Sequence, residues 1–179
     1  MYFCTLKIIM YTLLFTFMFN LVGINSHAAA DNLEEIPAFD YASATMKRAC
    51  VIDSLMLRAN ECIGIKYQYG GGTKSGFDCS GFVNYVYSAF DISLPRSSYE
   101  IANLGVKVVF DDLQPGDLVF FKGRSTSSTK VGHVGMVVEK TNGGFKMIHA
   151  SVAKGVRIDN YGDSYYKTRF LFGKRLELI

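Results

Sequence analysis

Tyr67-Gln-Tyr-Gly-Gly-Gly-Thr-Lys-Ser-Gly-Phe-Asp-Cys-Ser-Gly-Phe82 runs from a glycine-rich loop into the start of a helical pattern, and a cysteine stands at the junction. A thiol attacks only as thiolate, and an ordinary cysteine, titrating near pH 8.5, is mostly protonated at neutral pH. A helix N-terminus favours an anion through its unpaired N–H groups and its dipole. In this reading Asp78 is the N-cap, Cys79 the nucleophile, and Ser80 offers a backbone N–H to a developing oxyanion, while Gly81 keeps the approach open. The glycines at 70–72 let backbone run close beneath a substrate. The competing reading makes Cys79 a buried structural thiol behind a routine aspartate cap.

Outward from this junction, Ile52, Leu55, Met56, Ala59, Cys62 and Ile63 recur on one face of a helix predicted over residues 43–63 and stopped by Gly64. Downstream, Cys79, Phe82, Val83, Val86 and Phe90 share a face of a second helix over residues 79–90, which Leu94-Pro95-Arg96 breaks. Residues 97–105 read as a short helical turn or loop. Strands follow at 107–110, 118–121, 133–139, 145–151, 156–158 and 170–176, separated by turn signals such as Gln114-Pro-Gly-Asp117 and Thr141-Asn-Gly-Gly144. Helices first and strands afterwards predict an α+β domain with an antiparallel sheet.

Two histidines, His133 and His149, fall on neighbouring predicted strands. Side chains alternate along a strand, so His133 shares a face with Gly135 and Val137. A symmetric turn about Asn142-Gly143, or a four-residue loop, sets His149 opposite Met136 and on the wrong face. A three-residue loop with a glycine bulge pairs His149 with Gly135 instead and leaves the two imidazoles as diagonal neighbours about 7 Å apart at Cβ. One imidazole then takes the thiol proton and the other orients it, the logic of an activated nucleophile. One cysteine and two histidines also suit zinc. Against that use, the spacing contains no Cys-x-x-Cys or His-x-x-x-His pair, so no metal or other cofactor is expected.

Lys7 precedes an apolar run from Ile8 to Ile24 that ends in Ser26-His27-Ala28-Ala29-Ala30. Residues 1–30 are therefore read as a secretory signal, with a retained anchor as the alternative, and no cysteine ends the run to carry a lipid. Residues 31–41 read as a flexible lead and residues 42–179 as one domain, with no integral membrane span once the signal is removed. The formal net charge of +3 falls by one when Lys7 leaves, too little to point to nucleic acid. Of four cysteines, Cys4 leaves with the signal. Cys50 and Cys62 lie twelve residues apart in one helix, about 18 Å, so no disulfide joins them and both are expected to be small buried hydrophobes.

The ordered motifs Tyr67-x-Tyr69-Gly-Gly, Phe77-Asp-Cys-Ser-Gly-Phe82, Leu94-Pro-Arg-Ser97, Gln114-Pro-Gly-Asp-Leu118, Gly132-His-Val-Gly135 and Ile148-His-Ala-Ser151 resemble the NlpC/P60 cysteine peptidases over residues 45–176. The run Gly72-Thr-Lys-Ser-Gly and the ending Tyr165-Tyr-Lys-Thr-Arg169 agree best with the family's small single-domain murein endopeptidases. The resemblance implies a papain-like fold, with the catalytic cysteine at a helix N-terminus packed on the sheet, and hydrolysis of peptidoglycan stem peptides. It implies Cys79 as nucleophile, His133 as general base and acid, and His149 as the third polar residue that orients it. Tyr67 resembles the tyrosine near the thiol, and Asp78 and Ser80 the helix cap and adjoining substrate contact. Arg96 fits either a substrate role or a salt bridge holding its loop. The protein is accordingly expected to be a monomer exported across the inner membrane to the periplasm or cell envelope. The cut bond is either D-alanyl to diaminopimelate or D-glutamyl to diaminopimelate. An amidase or acyltransferase of the same fold, or a non-catalytic peptidoglycan-binding module, remain as alternatives.

Overall fold

The computed structural model describes residues 38–177. The signal reading, and the lead up to residue 37, lie outside these residues. Helix α1 (Ala38–Asn60) starts five residues before its expected first residue. Its first part, to Cys50, falls in one compact unit, and residues from Val51 form the other, described below.

The amphipathic face of α1 is largely as expected: Leu55, Ala59 and Cys62 are fully buried, and Ile52 and Met56 pack at the edge of the same cluster. Ile63 is the exception and stands 49% exposed, because the helix ends at Asn60 and the turn after it rotates that side chain outward. Cys62 carries a free, buried thiol, so no bridge joins it to Cys50, which is half-buried rather than buried. No helix among the described residues is long and apolar enough to cross a membrane.

After α1 come the short strands β1 (Gly72–Thr73) and β2 (Gly76–Phe77), which pair with each other, then α2 (Cys79–Ser88) and a single turn, α3 (Ser98–Ile101). Ser97 closes α3 with a capping box to Glu100. The remaining strands are β3 (Val106–Val108), β4 (Leu118–Lys122), β5 (Val131–Thr141), β6 (Gly144–Ser151), β7 (Gly155–Asn160) and β8 (Phe170–Arg175). They form one antiparallel sheet in the order β3-β8-β4-β5-β6-β7. The expected strand at 107–110 stops at Val108, and Phe110–Asp112 instead forms a 3-10 turn that brings Phe110 onto an aromatic cluster with Phe145, Tyr161 and Phe170. A further helical turn, α4 (Ser164–Lys167), precedes β8.

Both faces of this sheet are covered, which explains the unbroken apolar run Leu118-Val-Phe-Phe121. Leu118, Phe120, Val134, Met136, Ile148 and Ala150 face α2, whose Phe82, Val83 and Val86 are fully buried against them. Each of the larger of these side chains, valine and upward, contributes roughly 2 kcal/mol. Val119, Phe121, Val137, Phe145 and Met147 face the other way, under Leu113 and Tyr166.

Candidate active site

Asp78 takes extended backbone angles and caps α2 by accepting from the Gly81 N–H at 2.7 Å. Its other oxygen accepts from the Gly70 N–H at 3.0 Å. Arg96 grips both carboxylate oxygens, at 3.0 and 2.6 Å, and adds bonds to Ser80 Oγ and the Gly71 carbonyl. The guanidinium holds the Asp78 carboxyl below its ordinary value, against the opposing pull of burial. One residue thus ties the glycine loop, the cap and the chain after α2 together around Cys79. The side chains of Asp78, Ser80 and Arg96 are spent on one another. For Arg96, the salt bridge is the role the geometry displays.

Gly81 has a different reason from the one expected. A Cβ there would collide with the Gly71 carbonyl, which packs directly on α2 and accepts from the Asp78 N–H at 3.0 Å. Gly81→Ala is therefore expected to destabilise the protein by about 1–3 kcal/mol in urea unfolding, through overpacking against backbone that has no side chain to move aside.

The histidines meet through a register that differs in device from the expected one. The hairpin closes on a two-residue turn at Asn142-Gly143, with Thr141 opposite Gly144. A bulge at Val138, between the pairs Glu139–Lys146 and Val137–Met147, then shifts the strand by one residue. Met136 faces Ile148 as a result, and a Cβ at Gly135 would lie 3.2 Å from His149 Cβ. His149 therefore stands beside Gly135 after all, and His133 Nε2 comes within 2.9 Å of His149 Nδ1. The β5–β6 ladder ends at Met136–Ile148. Beyond it the Val134 N–H, next along the chain from His133, faces the Cys79 sulfur.

Burial pushes the Cys79 thiol up from its ordinary value, Asp78 adds to the rise, and the N–H groups of Val134, Ser80 and Cys79 pull the other way without overcoming it. Desolvation thus works against the anion-favouring amides of the helix N-terminus at this thiol. Burial and the neighbouring His149 likewise push His133 down to about 3, while Asp159 opposes them. Tyr67 forms a bridge with Phe77 and packs by this site; burial first, then Cys79 and Asp78, raise its phenol.

The depressed His133 value has a consequence for stability. The folded protein binds fewer protons at this ring than the unfolded chain between pH 6.5 and about 3, so the contribution is complete above 6.5 and lost as pH falls. Unfolding free energy is expected to drop between pH 6.5 and 4 with a slope of at most about 1.4 kcal/mol per pH unit from this ring. In urea titrations His133→Gln should flatten that interval. It should leave the loss below pH 4, where Asp159, held down to about 2 in the folded protein chiefly by its bond to His149, is protonated first in the unfolded chain.

Three residues that sequence reasoning passed over complete the site. His149, only 2% exposed, places Nε2 3.0 Å from Asp159 Oδ2, and the Tyr166 hydroxyl donates to the same oxygen at 2.6 Å. Arg157 pairs with the other oxygen at 2.7 Å. Strand alternation was the available signal: β7 sets Arg157 opposite His149 and carries Asp159 on the same face, but the expected strand stopped at 158. Among the described residues no group of three or more His, Cys, Asp or Glu side chains is arranged to hold a metal ion.

The chain is 39% identical over 114 residues to "Murein DD-endopeptidase MepS/Murein LD-carboxypeptidase" of Escherichia coli strain K12, a match spanning 63% of this chain and 56% of that protein. It is 38% identical over 122 residues to "Gamma-DL-glutamyl hydrolase" of Bacillus subtilis strain 168, spanning 68% of this chain and 29% of that protein. The chain thus covers little more than half the length of the first of these relatives and less than a third of the second. Among solved structures, a Bacillus cereus protein described as of the NlpC/P60 family superposes with a TM-score of 0.64 at 30% identity, covering 72% of this chain and 40% of that one. Residues 64–175 match the NlpC/P60 family, a span that holds Cys79, His133, His149 and every strand described above, and the chain belongs to that family.

Proposed function

We propose that this protein is a peptidoglycan endopeptidase, a thiol hydrolase that cuts amide bonds in murein stem peptides. The observation that carries the proposal is a cysteine thiol at a helix N-terminus, lying against the amide next to a neutral histidine that is itself hydrogen-bonded to a second histidine. A structural thiol needs none of these neighbours. One relative's name points to murein as the substrate class, and the other's to a gamma-glutamyl bond.

In the proposed reaction His133 takes the Cys79 proton as the sulfur attacks the scissile carbonyl. The oxyanion forms against the backbone N–H groups at the start of α2. His133 then returns the proton to the leaving amine as the C–N bond breaks, leaving a thioester. Water attacks the thioester, gives its proton to His133, and expels the thiolate as the carboxylic acid forms. Tyr67 lines the substrate path beside the thiol. Asp78, Ser80 and Arg96 hold the site rather than touching substrate through their side chains. The protein works as a monomer on the envelope side of the inner membrane.

Digestion of murein sacculi and isolated cross-linked muropeptides, with products resolved by mass spectrometry, tests this reading. Loss of the cross-link is the expected product and assigns the D-alanyl to diaminopimelate bond; cutting after D-glutamate keeps the mechanism and changes the bond. Cleavage at the lactyl amide or a transferred acyl group would displace the reading in favour of an amidase or acyltransferase. Murein binding without any product would leave a binding module. Activity that survives chelator but not iodoacetamide is expected, and the reverse would argue for metal.

A further inference from the structure

Resting on the proposed function, a second question concerns how a neutral histidine is held ready to take the thiol proton. The answer turns on which nitrogen of each ring carries hydrogen. Asp159 can only accept, and its Oδ2 lies 3.0 Å from His149 Nε2, so that nitrogen carries hydrogen. The Tyr166 hydroxyl reaches the same carboxylate oxygen at 2.6 Å and also stands 3.2 Å from His149 Nε2, so it donates to Asp159 while its own oxygen lies beside the imidazole N–H. His149 Nδ1 is then free to accept from His133 Nε2, 2.9 Å away. The lone pair of His133 is then on Nδ1.

We infer that Asp159, held by Tyr166 and Arg157, is a positioning residue that acts through His149 to fix both rings as Nε2–H tautomers and to stabilise the His133 imidazolium formed during catalysis. Three features of the structure converge on this. The carboxylate is nearly sealed, with its side chain 11% exposed. Each of its oxygens has a partner besides His149 or shares one, so it has no freedom to swing toward solvent. Tyr166 closes the arrangement from outside, its ring edge-on to His149 with centroids 5.6 Å apart, and burial followed by Asp159 raises its phenol so that it remains a donor. The Tyr165-Tyr-Lys-Thr-Arg169 run noted in the sequence thereby gains a reason: α4 exists to deliver the Tyr166 hydroxyl, and Tyr165 stacks on it and on Arg169.

When His133 accepts the thiol proton, the new positive charge lies one ring away from a carboxylate that cannot move. Loss of that negative charge should affect the chemical step rather than substrate binding. It should also move the His133 titration further down, since Asp159 is the group that opposes the effects of burial and His149.

The test uses the full chain, with muropeptide turnover and nitrogen-15 NMR of the histidine rings read side by side. His133→Gln and His149→Gln assign the signals among three histidines. In the parent both rings are expected as Nε2–H tautomers at neutral pH. Asp159→Asn is expected to lower kcat by about 10–100-fold with KM within about twofold. It should shift the acidic limb of the kcat/KM profile to lower pH and change the ring tautomers. Tyr166→Phe, which removes one donor, should give a smaller loss of the same kind. A parent protein with hydrogen on Nδ1 of either ring would overturn the inference, as would Asp159→Asn with unchanged kcat and unchanged tautomers. If Asp159→Asn does not fold, the parent tautomers and Tyr166→Phe decide. If the parent turns over no muropeptide the functional reading fails, and the tautomers still test the relay.

Discussion

Cys79→Ala is expected to lower stem-peptide cleavage by at least about 10^4-fold, with little change in KM and with thermal unfolding within a few degrees of the parent. The size follows from the mechanism: without sulfur no thioester forms, and what remains is the binding and oxyanion contribution of a site with nothing to attack. The small cost in stability follows from position. Cys79 is only half-buried, at the edge of a cluster whose weight is carried by Phe82, Val83 and Val86. The cap that starts α2 is made by Asp78 and not by the cysteine. Kinetics on the refolded variant, beside a thermal melt, check both halves; a variant that unfolds would show that the thiol is mainly structural.

Asp117→Ala is expected to produce the largest loss of stability of any single substitution discussed, about 3–5 kcal/mol in urea unfolding. Asp117 is fully buried and accepts two bonds from Arg175, both at 2.8 Å, as well as the Gln114 N–H at 2.8 Å. Removing the carboxylate leaves the Gln114 N–H without a partner and a partly buried guanidinium with only the Asp112 carbonyl to donate to, and leaving such groups unsatisfied costs more than making the bonds gained. The Gln114-Pro-Gly-Asp117 turn also fits under α1, where Gly116 has a positive φ and no room for a Cβ against Ile52, and its carbonyl accepts from the Tyr87 hydroxyl. A drop of less than 1 kcal/mol would mean that the turn is held by these backbone and packing contacts without the ion pair.

The helix carrying the thiol was legible in the sequence because everything that makes it is local: an aspartate cap, apolar residues on one face, and a Leu-Pro after it. The strand order of helices first and sheet afterwards was legible for the same reason. The pairing of His149 with Gly135 was reached from the need for both rings on one face, but the device was misread. Turn chemistry at Asn142-Gly143 allowed several loops, and a bulge at Val138 has no signature of its own in a run of valines. Asp159, Tyr166 and the Arg96–Asp78 clamp escaped because they join residues from separate elements, seven to eighteen positions apart. Charged and phenolic side chains on short segments read as solvated surface until the fold brings them to a common point. The electrostatic setting of the thiol was half legible for a related reason: a helix terminus is visible in sequence, whereas the desolvation that opposes it depends on what packs above.

The measurement that bears most directly on the central claim is cleavage rate against the fraction of Cys79 alkylated by iodoacetamide, the modified residue being identified and quantified by peptide mass spectrometry. Cys62, fully buried, should stay unmodified throughout. The account predicts that turnover falls in direct proportion to Cys79 modification and reaches zero when it is complete. Turnover that persists with Cys79 fully alkylated would contradict it.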